Sequence, residues 1–97
     1  MTVKISVIIP IFNREKYIAR CLRSLINQSI NKKDFEIIVV NDGSQDGSKN
    51  ILNMFKDTFK QEIIIIENDK NLGLPASLNK GIQASMGKYI VRVDSDD

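Results

Sequence analysis

Three carboxylates lie within four positions at the end of the sequence, at Asp94, Asp96 and Asp97, with Ser95 after the first. A cluster of like charges costs free energy unless a cation or a bound ligand offsets the repulsion. Hard divalent cations such as Mg²⁺ and Mn²⁺ prefer oxygen ligands, and bind through carboxylates together with the phosphates of a substrate. The cluster therefore predicts a metal site, and the alternative is an acidic turn or helix cap that binds nothing.

A fourth carboxylate, Asp42, directly follows an apolar run and opens a turn with Gly43 and Ser44. An acidic side chain at the end of a strand can accept a hydrogen bond from a ribose hydroxyl or a base N–H, as in other nucleotide-binding folds. It can equally close an Asx-type turn by accepting from its own backbone. The pattern alone leaves both interpretations of Asp42 open.

Four apolar, β-branched runs alternate with three amphipathic segments along the chain. These runs predict buried strands, and the segments predict helices with one apolar stripe. Pro10 should end the first strand because it lacks a backbone donor, and Asn13 and Asp46 should cap the first two helices. The third helix should begin near Pro75 and stop near Gly87. The predicted strands are residues 3–9, 35–40, 62–67 and 88–93, and the predicted apolar face of the third helix is Leu74, Leu78, Ile82 and Met86.

The β-α-β-α-β-α-β order predicts an α/β protein with three layers, in which a Rossmann-like, mostly parallel sheet lies between helices. In such a sheet the carboxyl ends of all strands lie on one edge, where ligands bind. Polar turns follow each predicted strand, so they should meet at that edge and form a single crevice. The turns are residues 10–13, 41–44, 68–73 and 94–97.

Composition excludes several classes of function. The chain has 97 residues and a net charge of +2 with scattered Lys and Arg, so we expect one domain and no nucleic-acid partner. It has no His and one Cys, Cys21, which excludes Cys/His zinc sites, Ser-His-Asp triads and an intrachain disulfide. No signal-peptide pattern or membrane-length apolar run is present, so the predicted location is cytoplasmic.

Four stretches of the chain together resemble the N-terminal half of a family 2 glycosyltransferase of the GT-A fold. Each stretch is weak alone, but four in this order and spacing are highly specific, and the resemblance covers essentially the whole chain. The stretches are SVIIPIFN (6–13), IVVNDGSQDGS (38–48), NLG with NKG (71–73 and 79–81) and DSDD (94–97).

The resemblance implies that residues 1–97 form a single donor half-domain, which binds a nucleotide-diphosphate sugar with UDP as the expected carrier. Asp42 would contact the base, Asp94 would lie near the ribose, and Mn²⁺ or Mg²⁺ would bind the diphosphate. By this resemblance the nucleotide-binding residues are Pro10, Phe12, Asn13, Asp42 and Asp94, and the metal ligands are Asp96 and Asp97.

The implied reaction is transfer of the sugar to the hydroxyl of an acceptor glycan or lipid-linked sugar, with inversion at the anomeric carbon. In the family the general base lies beyond the position of Asp97, so we expect no catalytic residue in this chain and a truncated domain that is inactive alone. The absent half should leave apolar surface near the fourth strand and favour self-association. Peripheral membrane association of a longer parent protein stays open.

Two positions depart from the pattern of the family. Asn41 stands where many relatives have Asp, and Leu78 stands where many have Arg, so positive charge near the diphosphate is missing or comes from another residue. Two alternative functions also fit a strand followed by carboxylates. One is a phosphotransferase of the haloacid dehalogenase type, and the other is a flavodoxin-like interaction module without enzymatic activity.

Overall fold

A computed structural model describes residues 3–28, 31–59 and 61–95. In this part of the chain strands and helices alternate as predicted, and no helix combines the length and the hydropathy of a membrane span. The elements are β1 (Ile5–Ile11), α1 (Ile18–Ile26), β2 (Phe35–Asp42), α2 (Ser48–Thr58), β3 (Ile63–Asn68), α3 (Leu74–Ala84) and β4 (Tyr89–Arg92), with a 3-10 turn at Lys32–Asp34.

The strands form one four-stranded parallel sheet in the order β3-β2-β1-β4. β1 and β2 lie at the centre, and their carboxyl ends meet in register with Ile11 opposite Asn41. β3 extends the same edge, where Asn68 lies opposite Asp42. The parallel sheet predicted from the sequence is confirmed, and the ends of its strands meet at one edge.

Helices α1 and α2 cover one face of the sheet and form the larger core with it. Alternate strand residues point into this core because side chains along a strand alternate between the two faces. Fully burying an aliphatic or aromatic side chain contributes roughly 1.5–3 kcal/mol, so this core is the main source of stability. Its buried residues include Val7, Ile9 and Ile11 from β1, Ile37 and Val39 from β2, Ile18, Leu22 and Ile26 from α1, and Leu52 and Phe55 from α2.

Helix α3 covers the opposite face, which confirms the three-layer arrangement. The helix approaches the sheet through small residues, since its buried positions are Ser77 and Gly81. A Cβ atom added at Gly81 would lie 2.6 Å from Cγ2 of Ile8, so glycine permits the close packing. The buried residues of this smaller core are Ile8, Ile38 and Val40, with Leu78 and Ala84 packed against them.

The predicted apolar face of α3 is correct for Leu78, which packs against the smaller core, and wrong at its other three positions; the predicted burial of the fourth strand is also wrong. Leu74, Ile82 and Met86 are 45%, 47% and 75% exposed, and all four residues of β4 are exposed. The helix ends at Ala84, before Gly87. Apolar spacing identified the helix and the strand correctly but not their buried sides. In α3 the small residues Ser77 and Gly81 face the sheet, and β4 is exposed because it lies at the edge of the sheet.

The first strand passes through Pro10, contrary to the prediction that it ends there. Pro10 pairs with Val40 in the β1–β2 register, so the strand continues to Ile11. The carbonyl of Ile8 accepts from the Val93 N–H, so the backbone polar groups of Ile8 face β4. Residues two apart in a strand turn their backbone groups to the same side, so the nitrogen of Pro10 also faces β4. The β1–β4 register stops at Ile8, so the donor that Pro10 lacks is not required by the ladder.

A buried carboxylate at the amino-terminal edge of the sheet fixes the segment that precedes β4. Glu36 is 1% exposed, and its Oε2 accepts hydrogen bonds from the Ser6 hydroxyl at 2.6 Å and the Met86 N–H at 2.7 Å. Ser6 Oγ in turn accepts from the Gly87 N–H at 2.8 Å. These bonds attach the α3–β4 connection to β1 and β2, and so position the strand that leads to Asp94.

Replacing Gly81 with alanine is expected to destabilise the protein, although alanine normally stabilises a helix interior by about 1 kcal/mol relative to glycine. The added methyl group collides with buried Ile8, and overpacking of this kind costs roughly 1–3 kcal/mol. Urea unfolding followed by circular dichroism measures the difference. Gln83→Ala, at an exposed position of the same helix, is the control and should change the free energy of unfolding by less than about 0.5 kcal/mol. A Gly81→Ala variant that is more stable than the wild type by about 1 kcal/mol, the full gain expected for an unobstructed helix position, would contradict the close packing.

Candidate functional site

A cavity of about 310 Å³ opens at the carboxyl edge of the sheet, where the sequence predicted a crevice. It lies between the ends of β1, β2 and β4 and the first turn of α3. The wall combines apolar, cationic and anionic groups, as expected of a site for a polar organic ligand. Its lining residues are Pro10, Ile11, Phe12, Arg14, Asp42, Leu74, Ser77, Arg92, Asp94 and Ser95.

Four of the predicted site residues line this cavity, one does not, and two lie outside the described residues. Pro10, Phe12, Asp42 and Asp94 come together although they are separated by up to 84 positions. Asn13 follows them in sequence but is not part of the cavity lining. The two predicted metal ligands, Asp96 and Asp97, lie outside the described residues.

Asn13 connects two loops instead of capping the first helix. Its backbone has a φ of 53°, a left-handed conformation that asparagine tolerates better than most residues. Its N–H donates to Ser44 Oγ at 2.9 Å, and its Oδ1 accepts from the Gln45 N–H at 2.8 Å. Helix α1 begins later, with Tyr17 at its N-cap. Asn13 therefore fixes the loop after β1 against the loop after β2, which makes it a supporting residue of the cavity.

Asp46 strengthens the same junction. Its Oδ1 accepts from the Ser48 N–H at 3.0 Å, and its Oδ2 accepts from the Glu15 N–H at 3.1 Å. Burial raises the pKa of Asp46, but the hydrogen bonds from Ser48 and Glu15 outweigh burial and hold the pKa below its ordinary value. The assigned N-cap of α2 is Gly47, one residue later than predicted, while the Asp46 carboxylate satisfies an N–H of the first turn.

Asn41, and not Asp42, closes the turn after β2. Asn41 Oδ1 accepts from the Ser44 N–H at 3.3 Å, and its Nδ2 donates to Glu67 Oε1 at 2.9 Å. Gly43 has a φ of 73°, and a Cβ there would lie 2.6 Å from the Lys70 carbonyl carbon. The Asx-type interpretation is wrong for Asp42, because its neighbour Asn41 forms that turn.

Asp42 instead binds a distant segment of the chain. Its Oδ1 accepts from the Leu72 N–H at 2.7 Å and from Asn68 Nδ2 at 2.9 Å, and its Oδ2 accepts from the Gly73 N–H at 3.0 Å. A carboxylate offers about four acceptor positions, and the Ser77 hydroxyl also donates to this carboxylate, so Asp42 has a donor for each of them.

The hydrogen bonds keep Asp42 ionised despite its burial, with only 5% of the residue exposed. Burial raises the pKa of Asp42, but donation from Leu72, Asn68, Gly73 and Ser77 outweighs that effect and places the pKa below its ordinary value. The cavity therefore presents a fixed negative charge at the end of β2.

Sequence reasoning missed the residues that support Asp42 from α3 and β3. Asn68 is 5% exposed, donates to Ser77 Oγ at 3.2 Å as well as to Asp42, and accepts from Lys80 Nζ at 2.6 Å. The ammonium group orients the amide so that its NH₂ faces the carboxylate. Asn68 and Asp42 each follow a predicted strand and end the observed one, and that shared position is the signal that could have found Asn68.

Asp94 lies at the other side of the cavity and is paired with Arg92. Arg92 Nε and Nη2 both lie 3.1 Å from Asp94 Oδ1, and the two side chains are 46% and 48% exposed. An ion pair this exposed contributes roughly 0.2–1 kcal/mol. Arg92 was also missed from sequence, although residues two apart in a strand share a face and Asp94 marked that face.

A divalent cation is compatible with the chemistry of Asp94, because carboxylate oxygens are hard ligands and both Arg92 contacts use the same oxygen. Among residues 3–28, 31–59 and 61–95, no three acidic, His or Cys side chains converge as a metal site. Of the three terminal carboxylates, Asp94 is the one that lies among the described residues.

Leu78 does not contribute to the cavity wall. Its side chain packs, partly buried, against the smaller core under α3. The cations in the cavity lining are Arg14, from the loop after β1, and Arg92. Positive charge at the site thus comes from other positions than the one expected from the resemblance.

The model of one protein family, described as glycosyl transferase family 2, matches residues 6–97. The chain belongs to glycosyl transferase family 2. It is 46% identical over 95 residues to the poly(ribitol-phosphate) beta-glucosyltransferase of Bacillus spizizenii, covering 97% of this chain and 15% of that protein. The family assignment predicted from the four motifs is confirmed, and neither the haloacid dehalogenase nor the flavodoxin-like alternative is supported.

Solved structures of the same fold bear out the GT-A assignment. The crystal structure of residues 1–349 of Staphylococcus aureus TarS has a TM-score of 0.90 and 35% identity, over 98% of this chain and 28% of that one. The mannosyltransferase PcManGT of Pyrobaculum calidifontis, solved with GDP-Man and Mn²⁺, has a TM-score of 0.92 at 23% identity over 99% of this chain and 28% of that one. The family 2 chain therefore corresponds to less than a third of the length of these relatives.

Acid should destabilise this family 2 chain partly through Asp42. A carboxyl whose folded pKa lies below the ordinary value of 3.8 contributes stability that is complete above that value and is lost as the pH falls through the folded pKa. In Asp42→Asn the free energy of unfolding should therefore fall less steeply below about pH 4 than in the wild type. At pH 7 the substitution should lower the free energy of unfolding by roughly 1–3 kcal/mol. Urea unfolding at a series of pH values measures both effects.

The matched control is Asp57→Asn, which removes an exposed carboxylate of α2. It should retain the wild-type dependence of stability on pH. Asp46 also has a lowered pKa, so Asp42→Asn reduces the dependence without abolishing it. An acid transition that Asp42→Asn leaves unchanged would show that the carboxylate does not hold the loop in the folded protein.

Proposed function

We propose that this chain is the donor-binding region of an inverting glycosyltransferase, which transfers a sugar from a UDP-linked donor to an acceptor hydroxyl in polysaccharide or glycoconjugate synthesis. Membership of glycosyl transferase family 2 supports the reaction class. TarS, with 35% identity over 97% of this chain, is known in complex with UDP-GlcNAc. The observation that carries the proposal is the convergence of Asp42 and Asp94 on one cavity at the carboxyl edge.

The cavity wall suits a nucleoside. Pro10, Phe12 and Leu74 supply apolar surface for a base, and Phe12 is 42% exposed at the rim. Asp42 lines the cavity as a charged acceptor, which suits an N–H donor, and uracil has one such group, at N3, on its pairing edge. Asp94 lies at the far side of the same cavity, where it would accept from the ribose. Asn13 acts from behind the pocket through its bonds to the 44–45 loop.

The proposed cofactor is Mn²⁺ or Mg²⁺, held against the diphosphate by Asp96 and Asp97 next to Asp94. When bound, the metal offsets the negative charge that develops on the departing diphosphate. Carboxylate oxygens are the ligands that both ions prefer. The contribution of this chain to the step is to place the carboxylates after β4, at the edge where the nucleotide binds.

The proposed acceptor is a glycan or a lipid-linked sugar, and its binding site and the general base lie outside residues 1–97. The chain spans 15% of the glucosyltransferase relative and 28% of the TarS chain. A donor region without a base binds the nucleotide but does not transfer the sugar, because the acceptor hydroxyl keeps its proton. We therefore expect the 97-residue chain to bind the donor and not to turn it over.

Calorimetry with UDP and Mn²⁺ tests the proposed function. The folded protein should bind UDP, and Asp42→Asn should weaken binding about 10-fold or more, because the amide cannot offer the same charged acceptor. Asp57→Asn again serves as the control and should bind UDP as the wild type does. The absence of binding at millimolar UDP, in protein shown to be folded by circular dichroism, would count decisively against a UDP-sugar donor.

The exposed edge strand supports a second proposal, that the chain self-associates when nothing else covers β4. Tyr89, Ile90 and Val91 are 61%, 46% and 44% exposed at the edge of the sheet. Exposed edge strands with apolar side chains pair with other chains, and lysine at an edge opposes such pairing. The mass measured by light scattering should rise with concentration for the wild type, and Ile90→Lys should suppress the rise. A wild-type mass that stays monomeric at all concentrations would refute this.

A further inference from the structure

Two arginines face the cavity from the ends of adjacent strands. Arg92 belongs to β4, and Arg14 belongs to the loop that follows β1, its neighbour in the sheet. The ionised side chains in the lining are these two cations and the carboxylates of Asp42 and Asp94, so their formal charges cancel. A ligand with a negatively charged group should bind with that group next to the arginines and away from the carboxylate of Asp42.

Arg92 has donors to spare in its paired state. A guanidinium carries five N–H groups in a planar fork. Its contacts to Asp94 use Nε and Nη2 against one oxygen, Oδ1, which leaves about three N–H groups, including both on Nη1. The side chain is 46% exposed, so the remaining donors are accessible from the cavity. Arg92 can thus keep Asp94 and still bind a second oxyanion.

The pair with Asp94 also orients Arg92. A long arginine side chain loses conformational entropy when a ligand immobilises it, and a group already held in place loses less. Two contacts to the same oxygen restrict the plane of the guanidinium. A planar fork held in this way suits bidentate hydrogen bonding to phosphate, which a lysine could not reproduce.

Arg14 is held by its own loop. Its backbone N–H donates to Ser48 Oγ at 3.1 Å, and its Nη1 donates to the Phe12 carbonyl at 3.2 Å. Because Asn13 and Glu15 on either side bind the 44–46 loop, the backbone that carries Arg14 is fixed at three successive residues. The guanidinium keeps most of its donors for a ligand.

We propose that Arg92, oriented by Asp94, binds the diphosphate of the nucleotide donor directly, with Arg14 binding the same group from the end of β1. The inference rests on the proposed function, because it names the residues of this chain that contact the phosphates of the proposed ligand. It assigns to Asp94 a second task, that of positioning Arg92, besides any contact with the ribose.

The test compares uridine, UMP and UDP, which share a base and a ribose and differ in phosphate. Affinities are measured by calorimetry in EDTA, so that only protein groups neutralise the phosphates. Arg92→Gln should weaken UDP binding about 10- to 100-fold, the range for charged hydrogen bonds, and weaken UMP less. Uridine binding should change less than about twofold, within the scatter of surface substitutions. Arg14→Gln should act in the same direction.

Two further variants separate recognition from a merely structural role. Arg92→Lys keeps the charge and loses the fork, so it should restore part of the UDP affinity. Arg20→Gln removes an exposed arginine of α1 that is outside the cavity lining, and it should bind all three ligands as the wild type does. The Arg92 Nε–H resonance in ¹H–¹⁵N spectra should shift on addition of UDP and not of uridine.

The outcomes distinguish this inference from the proposed function. If the wild type binds UDP and Arg92→Gln binds it equally well, the role of Arg92 is wrong and the function stands. If Arg92→Gln weakens uridine and UDP by the same factor, Arg92 maintains the cavity and does not bind phosphate, which also overturns the inference. If the folded wild type binds none of the three ligands in EDTA but binds UDP with Mn²⁺, this inference fails and the function stands. If it does not bind UDP with Mn²⁺ either, the proposed function fails and this inference with it.

Discussion

The carboxylate of Asp42 is the interaction on which the candidate site depends. It joins the end of β2 to the end of β3 and to the backbone that starts α3, through Asn68, Leu72 and Gly73. Burying a charge is costly unless it is hydrogen-bonded, and here two backbone N–H groups and an amide supply the bonds. Without that charge, the segment before α3 would lose the acceptor that shapes its backbone, and the cavity would lose one wall.

The supporting bonds divide into two groups with different consequences. Those between the loops after β1 and β2 run through Asn13, Asp46 and Ser48, and they are exposed or partly buried. Those around Asp42 and Asn68 are buried and reach Lys80 on α3. Buried polar networks depend on every member being satisfied. A substitution of Lys80 should therefore disturb Asn68 and Asp42, although Lys80 is not part of the cavity lining.

The order of elements and the parallel sheet could be predicted from the sequence, because β-branched runs and apolar stripes report burial directly. The edge at which Pro10, Phe12, Asp42 and Asp94 meet followed from the parallel arrangement alone. What could not be predicted depends on tertiary packing. Helix α3 packs on the sheet through Ser77 and Gly81, which leaves Leu74 and Ile82 exposed. The backbone and amide donors to Asp42 lie 26–31 positions away, beyond any local pattern.

The bonds of Glu36 and Ser6 to the start of β4 have a consequence for how the strand can vary. A strand with one buried face is aligned by its apolar pattern, but all four side chains of β4 are exposed, so pattern cannot align it. A shift of one residue would turn Arg92 and Asp94 to the opposite face of the sheet. Alignment comes instead from backbone N–H groups of Met86 and Gly87, at the edge far from the cavity, and from Val93, which packs against the larger core just before Asp94. The exposed side chains of Tyr89, Ile90 and Val91 can therefore change to suit a neighbouring surface without moving the carboxylate that follows the strand.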